Sequence, residues 1–344
     1  NRNLIINGAM QVAQRGTSTT TNGYLIDRFR SNLGGMDQLA FTMSQSTDAP
    51  SGFRKSLKFD VTTAETGGVA ADEYAGIRYI TESQDVAHLL YGTSGAKTIT
   101  LSFHVKAYQT GTYALNLFMG DTSRAYTTTY TISQSATWEK KTLTFVGDTG
   151  GSEINVDNGH GLYINWFFAA GSTFNSSSAN TNQWAGYTNA GWANGQGVDL
   201  TNSTDNYFQL TGVQLEVGSV ATDFEHRSFA QELALCQRYY FLFCEGTDKE
   251  LNVVWYFTNT HLSFLLRYPV VMRAAPTLSI TTGTNYYINY RAGSNDKIDG
   301  FASEFISTEQ MSCFRNTQVS GTAGQAGLLR TYNSACKVEI SAEL

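Results

Sequence analysis

Thr98-Ile-Thr-Leu-Ser-Phe-His-Val-Lys106 alternates without a fault, with Ile99, Leu101, Phe103 and Val105 on one side and Thr98, Thr100, Ser102, His104 and Lys106 on the other. A period of two sends successive side chains to opposite faces of a strand, so one face of this stretch is buried and the other is wet. Gln109-Thr-Gly supplies a turn, and Tyr113, Leu115, Leu117 and Met119 alternate on the way back, which reads as a β-hairpin. The pattern spreads outward from there. Leu39, Phe41 and Met43 alternate upstream, as do Leu57, Phe59 and Val61. Downstream, residues 126–132 and 138–145 are strand-like, and Leu162, Ile164, Trp166 and Phe168 share one face, which makes Trp166 a core residue. Residues 3–7 read as a short apolar strand and residues 82–91 as a short helical turn. Regular strands, each wet on one face and separated by Gly-rich turns, point to two antiparallel sheets packed face to face in a β-sandwich.

Composition agrees with an all-β chain. The 344 residues carry 15% charged side chains, 32 Gly and only 3 Pro. Thr and Tyr favour strands, and Gly, Asn and Ser favour turns. A net charge of −6 argues against a general nucleic-acid binder, because neutralising phosphates takes a basic surface. No apolar run reaches membrane-spanning length, so membrane insertion is not expected. No signal-peptide pattern opens the sequence. Cys236, Cys244, Cys313 and Cys336 form no C-x-x-C pair. All four read as buried thiols made in a reducing compartment, with Cys336 in a core beside Val338 and Ile340.

The sandwich pattern stops at residues 212–240. Val213, Leu215 and Val217 alternate with Gln214 and Glu216, and the change of phase at Thr211-Gly212 suggests a β-bulge. Ser228 then stands three residues before Gln231, the spacing of a helical capping box. Phe229, Leu233, Cys236 and Tyr240 follow at steps of four, three and four, along one helix face. The expected organisation is therefore a sandwich over 1–224, a helical joint over 225–240 and a smaller C-terminal β domain over 241–344. A flexible linker would be rich in Gly, Ser or Pro, so the joint is expected to be rigid. The stripe Phe229, Leu233, Cys236 and Tyr240 would pack on a domain end or against the same stripe in neighbouring chains, as an oligomer interface.

Several of these segments resemble a known group. Asn3-Leu-Ile-Ile-Asn-Gly-Ala-Met-Gln-Val with Gln14-Arg-Gly-Thr-Ser and Asp27-Arg-Phe resembles the start of a domain of bacteriophage tail fibres and related virion proteins. Thr98-Ile-Thr-Leu-Ser-Phe-His-Val-Lys-Ala, Gly111-Thr-Tyr and Thr137-Trp-Glu-Lys-Lys-Thr-Leu-Thr-Phe resemble jelly rolls of the carbohydrate-binding-module type. Gln214-Leu-Glu-Val-Gly-Ser-Val-Ala-Thr-Asp-Phe-Glu-His-Arg-Ser with Glu232-Leu-Ala-Leu-Cys-Gln-Arg-Tyr-Tyr is the most specific match, again to phage virion proteins. Tyr268-Pro-Val-Val-Met-Arg-Ala-Ala-Pro-Thr resembles the opening of the terminal unit of such fibres. The resemblance covers residues 1 to about 280 in pieces. It implies a jelly-roll domain and a tip-like domain in a homotrimeric fibre. Its partners would be other phage tail or virion proteins and a host surface polysaccharide, and its place the virion, assembled in the host cytoplasm and extracellular in the mature particle. No cofactor or metal is expected, although jelly rolls of this type often hold a structural calcium, and no residue pattern here names ligands for one.

Candidate site residues come from the chain itself. Residues 171–206 form a long polar loop holding Trp184, Tyr187 and Trp192, with Asn182, Gln183, Asn189 and Asn194 nearby. Flat rings suit the apolar faces of sugars, and amides pair with hydroxyls. The same rings would serve equally to pin the loop to the sandwich or to a neighbouring chain. Tyr286, Tyr287, Tyr290 and Arg291 form an aromatic–basic cluster, suited to recognition or to packing against a trimer partner. His88, His104, His160, His226 and His261 are scattered, and Asp157 with His160 lacks a third metal ligand. No nucleophile elbow, phosphate loop or metal-protease motif is present, and no carboxylate pair has a recognisable setting. The expected function is non-enzymatic host-surface attachment by glycan binding. A structural virion part and a polysaccharide-degrading tailspike are the alternatives, the tailspike last because this chain lacks the long parallel repeat such enzymes usually show.

Overall fold

The structure is a computed structural model describing residues 2–344. It divides into two compact units, one ending at Glu232 and taking in Leu344, the other running Leu233–Glu343. The chain is nearly all β, and its first unit is a jelly-roll β-sandwich.

The first unit contains β1 (Ser18–Thr19), β2 (Phe29–Gly34), β3 (Ala40–Ser46), β4 (Ser56–Thr63), β5 (Tyr74–Glu82), β6 (Ile99–Ala107), β7 (Gly111–Met119), β8 (Arg124–Ile132), β9 (Glu139–Phe145), β10 (His160–Ala170), β11 (Ala185–Gly186) and β12 (Tyr207–Val217). They make two six-stranded sheets, ordered β1-β3-β4-β12-β6-β9 and β11-β8-β7-β10-β5-β2. The expected short helix is α1 (Ser83–Val86), followed by a 3-10 turn.

The inward faces meet as the alternation requires. Ile99, Leu101, Phe103 and Val105 are fully buried from the first sheet, and Leu162, Ile164, Trp166 and Phe168 from the second. Phe103 and Trp166 meet edge to face across the core at 5.9 Å, and Phe168 meets Phe208 at 4.5 Å. Aromatic pairs in these arrangements add to the burial itself.

Three expectations change. The stretch 98–119 is no hairpin: β6 lies in the first sheet and β7 in the second. Gln109-Thr-Gly is an arch between sheets, and the hairpin partner of β7 is β8, paired from Gly111↔Ile132 to Met119↔Arg124. Alternation says only that each strand buries one face, and an arch satisfies that as well as a hairpin does. Residues 3–7 make no strand. Asn7 turns the chain with φ 61, while the Leu4 amide donates to the Leu215 carbonyl at 2.9 Å. Gln214 and Glu216 are buried, not wet. Residues 218–227 fold back over them: the Glu225 amide donates to Gln214 Oε1 at 2.8 Å and the Thr222 amide to Glu216 Oε1 at 2.9 Å.

The bulge in β12 is present. Its pairing with β6 jumps from Thr211↔His104 to Gln214↔Ser102, and Gly212 sits at φ +61. A Cβ there would lie 2.6 Å from the Phe53 ring and 2.8 Å from His104 Nδ1.

α2 (Phe229–Gln237) starts where the capping box places it: the Gln231 amide donates to Ser228 Oγ at 3.3 Å and the Ser228 amide to Gln231 Oε1 at 3.1 Å. The four-residue stripe does not survive intact. Tyr240 has left the helix and opens a strand, because α2 ends at Gln237. Cys236 is buried, Leu233 half-buried, and Phe229 is 55% exposed.

The second unit contains β13 (Tyr240–Glu245), β14 (Glu250–Thr258), β15 (His261–Arg267), β16 (Thr277–Ile280), β17 (Tyr287–Tyr290), β18 (Asp296–Ile298), β19 (Ala302–Glu304), β20 (Gln310–Arg315), β21 (Ala326–Thr331) and β22 (Lys337–Ser341). A three-stranded sheet β13-β22-β16 and a seven-stranded sheet β18-β17-β21-β14-β15-β20-β19 enclose a core of its own around Tyr256, Phe264, Tyr287 and Val338. All four cysteines are free thiols. Cys236, Cys313 and Cys336 are buried as expected, and Cys244 is only half-buried.

Candidate functional site

The outer face of the second sheet carries a row of polar side chains where the inner face carries the core. Arg78 on β5, Asn165 on β10, Asn116 on β7 and Thr127 on β8 are direct cross-strand partners. Arg78 Nε donates to Asn165 Oδ1 at 2.7 Å. Asn165 Nδ2 donates to Asn116 Oδ1 at 3.1 Å, and Asn116 Nδ2 to Thr127 Oγ1 at 2.9 Å. Thr127 Oγ1 donates on to the Gly191 carbonyl at 2.9 Å. Asn116, Asn165 and Thr127 are buried, so each amide and hydroxyl needs these partners.

What buries them is the loop 171–206. It lies over the β8 side of the sheet, anchored by a small second core of Ala114, Phe167, Trp192 and Ala193. Trp192, 7% exposed, meets Tyr74 at 4.7 Å and Phe167 at 5.1 Å, both edge to face. Within the loop Gly191 packs closely against Asn180, whose Oδ1 lies 1.9 Å from where a Cβ would be, so no side chain fits there.

The loop leaves part of the face uncovered, a cleft of about 320 Å³ lined by Arg78, Phe118, Tyr163, Asn165, Tyr187 and Trp192. Phe118 stands edge to face with Tyr163 at 5.2 Å and with Tyr187 at 5.1 Å. The Arg78 guanidinium lies 5.4 Å from the Tyr163 ring centre and 5.5 Å from that of Trp192. Burial pushes the Tyr163 and Tyr187 hydroxyls above the usual tyrosine range, so both remain protonated at neutral pH. The cleft thus combines aromatic rings with N–H and O–H donors, the groups that stack on and pair with a hydroxyl-rich ligand.

The three loop aromatics part ways. Tyr187 and Trp192 line the cleft. Trp184 pins the loop instead: it packs edge to face on Tyr91 and Tyr126, and its Nε1 donates to the Val146 carbonyl at 2.8 Å. Asn189 is exposed outside the cleft lining and accepts a hydrogen bond from the Tyr187 hydroxyl at 2.8 Å. Arg78, Phe118, Tyr163 and Asn165 do not stand out in the sequence as site residues. Their signal is present all the same: Tyr163 and Asn165 occupy the alternate positions between Leu162, Ile164 and Trp166.

In the second unit the cluster at 286–291 comes apart. Tyr287 is fully buried in the core, which rules out ligand contact, and Tyr286 is half-buried. Tyr290 is 36% exposed beneath the Arg330 guanidinium. Arg291 is paired with Asp296 at 3.2 Å. Tyr287 and Tyr290, the two that lie on β17, are three residues apart and point to opposite faces, so the four cannot form one surface. A different cleft, about 580 Å³, opens on the face of β14, β15 and β20, lined by Trp255, Phe257, His261, Glu304 and Phe305 among others. Phe257 and Phe305 are 71% and 83% exposed there.

Among the described residues, no three His, Cys, Asp or Glu side chains come together as a metal would need. Asp157 Oδ1 accepts from the Gly159 amide at 2.8 Å, and His160 Nδ1 lies 2.5 Å from the Tyr163 hydroxyl, so that pair does not converge on a metal. Among the described residues no helix is long and apolar enough to cross a membrane.

No protein-family model matches the chain, and no curated protein does. Among solved structures it is similar to the enzymatically active domain of tailspike protein 4 of bacteriophage CBA120, at 14% identity and a TM-score of 0.34, over 63% of this chain and 21% of that one. It is also similar to a family 4 carbohydrate-binding module, at 11% identity and a TM-score of 0.31, over 62% and 98% of the two chains. A third is the family 11 carbohydrate-binding module of Clostridium thermocellum in complex with a mixed-linked β-1,3-1,4 tetrasaccharide, at 10% identity and a TM-score of 0.30, over 60% and 98%. At such values none of these likenesses carries an argument about what this chain binds, and the strand pairing establishes the sandwich by itself.

Proposed function

We propose that this chain binds a saccharide, without transforming it, in the cleft between Tyr163, Tyr187 and Trp192, and that it serves a bacteriophage virion fibre in recognising the host surface. One observation carries the binding half: aromatic walls and the donors of Arg78 and Asn165 meet in a single cleft. A sugar ring has apolar C–H faces and a hydroxyl rim, and such a cleft meets both. Hydrolysis would take two carboxylates flanking the bond to be cut, and the cleft lining contains none. The virion half rests on the resemblance of residues 3–12 and 214–240 to phage virion proteins. With it come the homotrimer, the other tail proteins and the host polysaccharide as expected partners.

The test is a glycan array probed with the full chain and with Tyr187→Ala, whose ring lies at the cleft rim. The best glycan is expected to lose about tenfold in affinity, in line with one aromatic contact of about 1.4 kcal/mol, while the melting temperature holds. Unchanged binding by the variant would remove the cleft from the proposal. Labelling the protein in intact particles would show whether it reaches the outer surface.

A second reading, a virion part held by other proteins with no receptor contact, is favoured by Trp255, Phe257 and Phe305 on the second unit. Exposed apolar patches of this kind often mark protein contacts. Light scattering on Phe257→Ser decides: a fall in oligomer mass supports this reading, and an unchanged mass counts against it.

A further inference from the structure

The saccharide reading leaves open which sugars the cleft would select. Its charge answers that. Arg78 is the one charged residue in the lining. Directly across the β2–β5 ladder from it is Arg30, so the two guanidinium groups leave the sheet on the same face. Like charges directly opposite one another destabilise a strand pair, and here no carboxylate stands between them. Among the described residues neither arginine lies within ion-pair distance of an acid. Arg30 is taken up by stacking on Tyr24 at 5.3 Å and by donating Nε to the Ser31 carbonyl at 3.3 Å. Arg15 lies over the same Tyr24 ring, but its charge is met by Asp27 at 4.0 Å. The one acid whose charge acts on Tyr163, Asp121, is turned toward other donors. Its Oδ2 accepts from Ser83 Oγ at 2.8 Å and from the Asn155 amide at 3.1 Å.

Arg78 is also fixed in position. Its Nε is taken by Asn165, whose own amide is held by Asn116. Its planar group lies against Tyr163 and Trp192. The two Nη groups are left as paired donors, in the fork geometry that suits a carboxylate. An anion there would relieve the repulsion from Arg30 and satisfy the fork at once. The hydroxyls of a neutral sugar would accept from the Nη groups but would leave the repulsion from Arg30 in place.

Resting on the saccharide reading, we infer that the cleft selects acidic saccharides, a sugar carboxylate pairing with Arg78 while the sugar ring lies against Tyr187 and Trp192. Arg30 contributes attraction at longer range. The geometry calls for a uronic- or sialic-type sugar unit rather than a neutral glucan or xylan.

The experiment uses the full chain and four acidic polymers: polygalacturonate, alginate, hyaluronan and polysialic acid. Each is titrated beside its carboxyl-reduced, neutral counterpart at low and at high salt. At least one acidic polymer is expected to bind tenfold or more tightly than its reduced form. That advantage should shrink at high salt, because exposed charge attraction is screened. Arg78→Gln should abolish the difference between the two forms while keeping the melting temperature within a few degrees. Arg30→Gln should reduce the difference only in part. If reduced and acidic polymers bind alike, or if Arg78→Gln leaves the advantage intact, the acidic selectivity is overturned and the saccharide reading stands. Binding by neutral glycans alone overturns the selectivity in the same way. If no polymer in either form binds the folded protein, here or on the glycan array, both fall together.

Discussion

Gly212 shows how much one residue can fix. It supplies the left-handed turn of the β12 bulge at φ +61, and Phe53 and His104 close over the space a side chain would need. Phe53 in turn packs edge to face on Phe224, so the bulge is joined to the segment that folds back over β12. Gly212→Ala combines backbone strain with overpacking and is expected to cost about 1–3 kcal/mol, measured as a lowered urea midpoint. A midpoint within error of the parent would mean that Phe53 simply moves aside. At this scale much is legible in the sequence. The phase change at Thr211-Gly212 announces the bulge, and the spacing of Ser228 and Gln231 announces the cap. Tyr187 and Trp192 stand out because rings in a polar loop need a reason. Trp184 stands out equally and is a pin, since sequence does not say which side of a ring meets the sandwich.

Among elements, the sequence reveals periods but not neighbours. Alternation places Leu162, Ile164 and Trp166 inside and leaves Tyr163 and Asn165 outside. Nothing in β5, β7 or β10 says that the three lie side by side, and that adjacency is what assembles the cleft. The same blind spot makes 98–119 read as a hairpin. The Arg78–Asn165–Asn116–Thr127 row makes the adjacency testable. Asn116 lies outside the cleft lining, yet it holds Asn165, which holds Arg78. Asn116→Ala leaves buried partners unsatisfied and is expected to cost about 1–3 kcal/mol. It should also weaken saccharide binding severalfold by freeing Asn165 and Arg78 to move. If stability fell and affinity did not, the row would be a structural feature with no part in positioning the site. The aromatic face of β14 is hidden for a related reason: Val253, Trp255 and Phe257 alternate as a core strand does, but the structure turns that side outward.

For the whole molecule, acid should find its weak point where residues 214–232 close the first unit. The Asn3 amide donates to Glu225 Oε2 at 2.7 Å and, with smaller help from Arg227, holds that carboxyl below its ordinary value of 4.5. Burial alone would raise Glu216, but the hydroxyl and amide of Thr222 hold it below the same value. A folded pKa below the unfolded one gives stability that is full above the ordinary glutamate range and is withdrawn as pH falls through the lowered value. The melting temperature is therefore expected to drop below about pH 4.5. Glu216→Gln with Glu225→Gln should melt lower at pH 7 and show a shallower decline in acid. An equally steep decline would place the acid sensitivity elsewhere. The sandwich as a whole is legible because its core alternates on nearly every strand. The order of its strands is not, because pairing over long separations leaves no local mark.

That order bears on how the protein is made. β12, the last strand of the first unit, lies in the middle of its sheet between β4 and β6, and Asn3 and Leu4 are tied to it. A ribosome delivering the chain from its first residue must hold two half-sheets, each with an open edge, until residue 217 emerges. Open edges recruit other strands. Nascent chains cut short before residue 207 should therefore clump or be captured by chaperones, while those released just past 232, with β12 in place and its cover complete, should fold.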